Sequence, residues 1–156
     1  MKSVITLGLA LAVGAFGSIG VATTAQATNL NHSGTICKNF NASEVLDIDY
    51  LPNGTRNLNV SPRSVVCPIV RSPTSTNTLT VYVDGKNSGA ATTTCTLYSY
   101  NYTGAFMGST SFTAGGTYDR LLSLASPQAP NWAAASLICG LPGSAQGTIY
   151  DIDVVQ

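Results

Sequence analysis

The sequence predicts an all-β protein, an antiparallel β-sandwich for which a jelly-roll arrangement is considered, with two disulfides. Three observations carry that prediction. Apolar and polar residues alternate over short runs, and these runs are separated by clusters of Gly, Pro, Asn and Ser. No long segment keeps a helical period. Four cysteines, Cys37, Cys67, Cys95 and Cys139, lie beyond an N-terminal stretch that reads as an export signal. Seven or eight short strands at about this spacing suit two packed sheets.

The chain opens with Lys2, then an uncharged Leu-, Ala- and Gly-rich run from Val4 to Val21, then Ala25-Gln26-Ala27. That order of charge, apolar run and small-x-small site predicts a leader over 1–27, cleaved after Ala27. Residues 28–156 are then a single secreted or periplasmic domain, in a compartment where cysteines pair. No later apolar segment is long enough to span a bilayer as a helix.

Within that domain Val45–Tyr50 predicts a strand with Leu46, Ile48 and Tyr50 on one face and Asp47 and Asp49 on the other. Pro52-Asn53-Gly54 predicts a turn. Ser64–Val70 sends Val65, Cys67 and Ile69 one way, and Pro68, lacking an amide donor, places this strand at an edge or bulge. Thr78–Asp84 turns Leu79, Val81 and Val83 inward and ends at Asp84-Gly85. Thr92–Thr103, Gly108–Ala114 and Asp119–Leu124 follow. Trp132–Leu141 aligns Leu137, Cys139 and Leu141 before a Pro142-Gly143 turn, with a helical turn as an alternative for the Ala-rich run from Asn131 to Leu137. Gly147–Val155 closes the chain with Tyr150, Ile152 and Val154 aligned.

Cys67, Cys95 and Cys139 each fall in phase with the apolar residues of their own strand, so they point inward. Three connectivities are open, and the sequential one, Cys37–Cys67 with Cys95–Cys139, is the reading favoured here. Each such loop stabilises by roughly 3–4 kcal/mol on the chain-entropy account. A zinc site is the rival use of these residues, but no C-x-x-C pair is present.

Several elements together resemble a group of small exported bacterial proteins with four cysteines. They are Cys37, Tyr50-x-x-x-Gly54-x-x-Asn57, Val66-Cys67-Pro68-Ile69-Val70-Arg71, Val81-Tyr82-Val83-Asp84, Cys95-Thr96-Leu97, Leu137-x-Cys139-x-Leu141-Pro142 and the terminal Ile149–Val154 strand. The resemblance implies a compact β-sandwich with two disulfides. It brings no catalytic or binding residue with it.

Composition narrows the function. Without Lys2 the chain holds six basic residues against seven acidic ones, and the basic residues are scattered. Nucleic acid is therefore not an expected partner, because its binding rests on clustered cations. The only histidine, His32, sits just past the expected cleavage point, and Gly-x-Ser-x-Gly is absent, so triad chemistry is not expected. With all four cysteines in bridges, no thiol nucleophile is left.

Two groups of residues remain as candidate sites. The Asp-x-Asp pairs Asp47/Asp49 and Asp151/Asp153 lie on polar strand faces, and pairing of their strands would gather four carboxylates able to hold a hard cation such as calcium. The tyrosines Tyr98, Tyr100 and Tyr102 alternate along the strand that turns Cys95 and Leu97 inward, which puts all three on the outer face about 7 Å apart. Trp132 and Tyr82 are candidates to extend that row. Flat rings with hydroxyls in a neutral setting suit a glycan or a surface protein. The leading expectation is a non-enzymatic binding module without a cofactor. The alternatives are a small secreted hydrolase using aspartate acid/base residues and a structural envelope component.

Overall fold

The computed structural model describes residues 29–71, 78–130 and 132–155; the expected leader over 1–27 and its cleavage point lie outside them. Eleven strands form among the described residues, with two short 3-10 turns, Gly34–Ile36 and Ala42–Glu44. They are β1 Asn29–Ser33, β2 Lys38–Asn39, β3 Ile48–Leu51, β4 Gly54–Asn57, β5 Arg63–Ile69, β6 Leu79–Asn87, β7 Thr92–Tyr100, β8 Phe106–Gly115, β9 Thr117–Leu124, β10 Ala134–Leu141 and β11 Gly147–Val155. One sheet runs β3-β4-β11-β6-β9 with β1 also paired to β11, and the other runs β2-β5-β10-β7-β8. All of these pairs are antiparallel. The eight strands β4 to β11 thus interleave as 4-11-6-9 over 5-10-7-8, the double Greek key of a jelly roll.

Alternation drives this arrangement. Leu79, Val81 and Val83 of β6, Cys95 and Leu97 of β7, Leu137, Cys139 and Leu141 of β10, and Ile149, Ile152 and Val154 of β11 are all buried between the sheets. Cys37 is bonded to Cys67 and Cys95 to Cys139, the sequential pairing. Cys95 and Cys139 are direct cross-strand partners in register, so that bridge closes a rung within one sheet. Gly116, at φ 62°, lets the chain leave β8 in one sheet and enter β9 in the other.

Several elements depart from the sequence expectation, each for a local reason. The Val45–Tyr50 strand starts only at Ile48, because Ala42–Glu44 coils into a 3-10 turn that leaves Leu46 90% exposed. Pro68 lies on a stretch of β5 that β2, pairing only at Val65 and Val66, does not cover. The Ala-rich run is extended from Ala134 onward and holds no helical turn, since β5 and β7 pair with it on both sides. In β11 the register shifts between Ile149 and Asp151, so Tyr150 turns outward and Ile149 takes the inward place expected of it.

The strand expected to end at Asp84-Gly85 continues through to Asn87. Gly85 faces inward opposite Tyr118 of β9, and the Tyr118 ring fills the space above it while packing at 5.9 Å on Phe112. A Cβ at Gly85 would come within 2.2 Å of the Tyr118 hydroxyl and 2.5 Å of the Thr148 carbonyl oxygen. Burial also pushes the Tyr118 phenol from 10.0 up to about 12.

Two outcomes follow from this contact. Gly85→Ala should lower the unfolding free energy by about 1–3 kcal/mol, the usual cost of overpacking, in urea titrations. Between about pH 10 and 12 the unfolded chain loses the Tyr118 proton while the folded chain keeps it. Stability should therefore fall across that window, and Tyr118→Phe should flatten the fall in denaturation midpoints measured from pH 9 upward.

Candidate functional site

The outer faces of the two sheets differ in chemistry over part of their width. The strands β7, β8 and β10 of the five-stranded sheet contain no charged residue at all. With Cys95, Leu97 and Ser99 buried, Thr96, Tyr98 and Tyr100 are left on the outside of β7. Tyr98 stands between Ser136 of β10 and Ser109 of β8, and Tyr100 between Ala134 and Phe106. The Tyr98 and Tyr100 rings stack at 6.4 Å with planes 21° apart, and Phe106 meets Tyr100 edge-on at 6.1 Å. Such pairs attract by about 0.5–1.5 kcal/mol each, which holds the rings as one rigid, partly exposed surface.

Phe106 was not among the residues the sequence singled out. The ladder slips between Ser99 and Tyr100, which leaves Met107 unpaired and brings Phe106 opposite Tyr100. Phe106 is 60% exposed. An aromatic beginning the strand that must return beside β7 was the available signal.

Tyr102 does not continue the row. The strand ends at Tyr100, and Asn101 turns the chain: its Oδ1 accepts from the Thr103 amide at 2.9 Å, the Ala105 amide at 2.8 Å and the Thr103 hydroxyl at 2.6 Å. Gly104 at φ 81° completes the turn. Tyr102 is thereby carried off the sheet to the end of the sandwich, where it meets Trp132 edge-on at 5.9 Å. These two rings are 86% and 54% exposed. The four aromatics thus form two pairs, one on the sheet face and one at its end. Tyr82 joins neither, since β6 belongs to the other sheet.

The six-stranded sheet carries most of the carboxylates. Asp47 and Asp49 do not gather with Asp151 and Asp153: β3 and β11 are separated by β4. Arg63 Nε donates to Asp47 at 2.6 Å and Arg56 Nε to Asp49 at 2.9 Å. The Arg63 hydrogen bond, with one from Asn59, holds the Asp47 carboxyl below the usual range. Asp151 instead stands in register with Asp84, and Asp84 with Asp119, a row of carboxylates across three strands. Asp153 and Tyr82 border the same shallow depression of about 250 Å³, where Asn31 Nδ2 donates to Asp151 at 2.7 Å. Partial burial raises the Asp84 carboxyl, and Asp119, Asp151 and Asp153 raise it further. Among the described residues no three His, Cys, Asp or Glu side chains are placed to hold a metal ion. The row is chiefly a site of repulsion.

Comparison with known proteins places the fold. No protein-family model matches the chain, and no curated protein matches it in sequence. Among solved structures it is similar to the C-terminal CBM6 of LamC, a marine laminarinase from Zobellia galactanivorans, with a TM-score of 0.50 and 10% identity over 83% of this chain and 100% of that one. It is also similar to CBM35 from Paenibacillus barcinonensis, with a TM-score of 0.49 and 12% identity over 83% of this chain and 98% of that one. At these identities the likeness is one of fold, the jelly-roll sandwich derived above.

Asp84 offers a direct test of the acidic row. Its folded-state carboxyl is raised above the 3.8 of an ordinary aspartate, so its ionisation opposes folding at neutral pH and the opposition fades as pH falls toward 3.8. Asp84→Asn should therefore gain about 0.5–1 kcal/mol at pH 7, the scale of like-charge cross-strand pairs. Urea titrations at pH 7 and pH 3 should show that advantage shrinking in acid.

Proposed function

We propose that this protein is an exported, non-enzymatic carbohydrate-binding module whose contact surface is the outer face of the five-stranded sheet. The observation that carries this reading is the stacked Tyr98–Tyr100 pair, flanked by exposed Phe106, on strands free of charge. Apolar ring faces stack on the C–H faces of pyranoses, while nearby tyrosine and serine hydroxyls exchange hydrogen bonds with sugar hydroxyls. A charged face would favour ionic ligands instead. The fold shared with the CBM6 of a laminarinase supports the reading, because that scaffold carries a carbohydrate-binding module there. Export is supported by the leader-like residues 1–27 and by two disulfides, which persist in oxidising compartments. Tyr102 and Trp132 form a second exposed aromatic pair at the end of the sandwich.

The test is a glycan array probed with the purified, disulfide-bonded protein and its Tyr100→Ala variant. Selective binding is expected, with Tyr100→Ala costing about 0.5–1.5 kcal/mol, up to about tenfold in affinity, in a variant that still folds and unfolds cooperatively. Loss of the fold in Tyr100→Ala would make that residue a packing element. A glycan incubated with the protein should be recovered at its original chain length; shortened products would favour the hydrolase alternative and direct attention to the aspartates.

A further inference from the structure

We propose that the ligand is an extended, uncharged polysaccharide chain, and that a groove over Gly140 is its second contact, in line with Tyr98 and Tyr100 along β7. This inference rests on the glycan-binding role proposed above and adds the length and charge of the ligand.

The groove encloses about 600 Å³ at the opposite end of β7 from the aromatic rings. Thr94 and Gly140, ladder partners on β7 and β10, form its floor, and Val60, Pro62 and Pro142 are among its walls. Because Thr94, Thr96, Tyr98 and Tyr100 share one strand face, floor and rings follow the line of one strand. From Thr92 to Tyr100 that line is about 26 Å long at strand rise. Several linked sugar rings fit along it, far more than a single sugar would use.

Gly140 is the informative residue. A glycine inside a strand costs about 0.5–1 kcal/mol relative to alanine, so its presence calls for a reason. At Gly85, Gly143 and Gly147 the fold supplies one, since a Cβ there would come within 2.1–2.5 Å of other atoms. At Gly140 the nearest atom to an added Cβ is the Thr94 carbonyl oxygen at 3.8 Å, an ordinary contact, and its φ is not in the left-handed region. Among the described residues nothing requires a bare backbone at this point; Gly115 of β8 is likewise uncrowded, at 3.5 Å, but it leads directly into the positive-φ Gly116. What Gly140 does is keep the groove floor flat, which is the role of strand glycines where a ligand approaches closely.

The walls are held firmly. Ser144 and Ala145 both adopt left-handed backbone, φ 57° and 55°, which costs non-glycine residues of order 1 kcal/mol each. Their amides donate to the Asn59 carbonyl at 2.6 Å and the Asn57 carbonyl at 2.7 Å, which clamps the β10–β11 turn against the loop carrying Val60. Between groove and rings the face offers the hydroxyls of Thr94, Thr96 and Ser111, with the Thr94 and Thr113 hydroxyls paired at 2.8 Å. No cation stands on β7, β8 or β10 to attract uronate or sulfate groups; Lys38, three strands from Thr96 in the same rung, is set over the Tyr50 ring at 4.8 Å.

The experiment is isothermal titration of the disulfide-bonded protein with neutral gluco- and manno-oligosaccharides, from disaccharide to hexasaccharide, and with uronate oligomers of the same lengths. Affinity for the preferred neutral series should climb at least tenfold from disaccharide to hexasaccharide, and uronates should bind at least tenfold more weakly. Gly140→Ile, bulky but without a ring that could itself stack on a sugar, should abolish the climb. Thr94→Leu crowds the same floor from the neighbouring strand and gives the same reading should Gly140→Ile fail to fold. Tyr100→Ala should weaken every length. A hexasaccharide that binds no more tightly than a disaccharide, or folded groove variants that bind it as the unaltered protein does, would overturn the two-contact chain and leave the glycan-binding role standing. Uronates binding as well as neutral chains would overturn the uncharged ligand. Absence of binding to every neutral and acidic chain would remove the glycan-binding role itself.

Discussion

Both disulfides close neighbouring strands of the same sheet, and the register they hold decides which chemistry faces water. Cys95 and Cys139 are direct partners between β7 and β10, and Cys37 lies just before β2 beside the Cys67 of β5. Strand side chains repeat every two residues, so a slip of one residue would exchange core for surface along the whole strand. With Cys95 locked inward, Tyr98 and Tyr100 have only the outside to occupy. The covalent bond in the core therefore positions the aromatic rings on the surface without touching them.

The sandwich distributes its charges unevenly between its faces. One outer face carries the carboxylate row Asp119–Asp84–Asp151 and the Asp49–Arg56 ion pair. On the other, the three strands β7, β8 and β10 hold no charged residue, and Lys38 of β2 and Arg63 of β5 stand toward the opposite edge of that sheet. A low overall charge hides this division, because the two faces differ in kind rather than in amount. An uncharged sheet surface with stacked rings suits ligands that are themselves flat, polar and neutral.

Much of the fold was legible because apolar alternation is a local signal. The inward sets of β5, β6, β7 and β10 followed from phase within single strands; phase turned three cysteines inward but left three connectivities open, of which the favoured sequential one is formed. The tyrosines were legible for the same reason, but only as far as Tyr100. Asn101 ends β7 by gathering two amides and a hydroxyl on its side-chain oxygen, and Asn101-Tyr102-Thr103-Gly104 carries that turn signal in its own residue types. Bulges were less accessible: the shifts at Met107 and Tyr150 depend on what the partner strand demands. The carboxylate row was beyond reach, since Asp84, Asp119 and Asp151 meet only once three strands distant in sequence have paired. The role of Gly140 likewise needed its surroundings, because a glycine explained by crowding and one explained by open space look the same in a sequence.

The antiparallel pairing of β1 with β11 makes Asn29 and Val155 ladder partners, so the two ends of the described chain leave from one edge of the six-stranded sheet. The aromatic rings lie on the far side of the sandwich. A domain, a tether or an immobilising tag joined at either end would sit on the side of the sandwich opposite the Tyr98–Tyr100 rings. The same closeness of ends makes the scaffold suited to circular permutation and to insertion within a host loop.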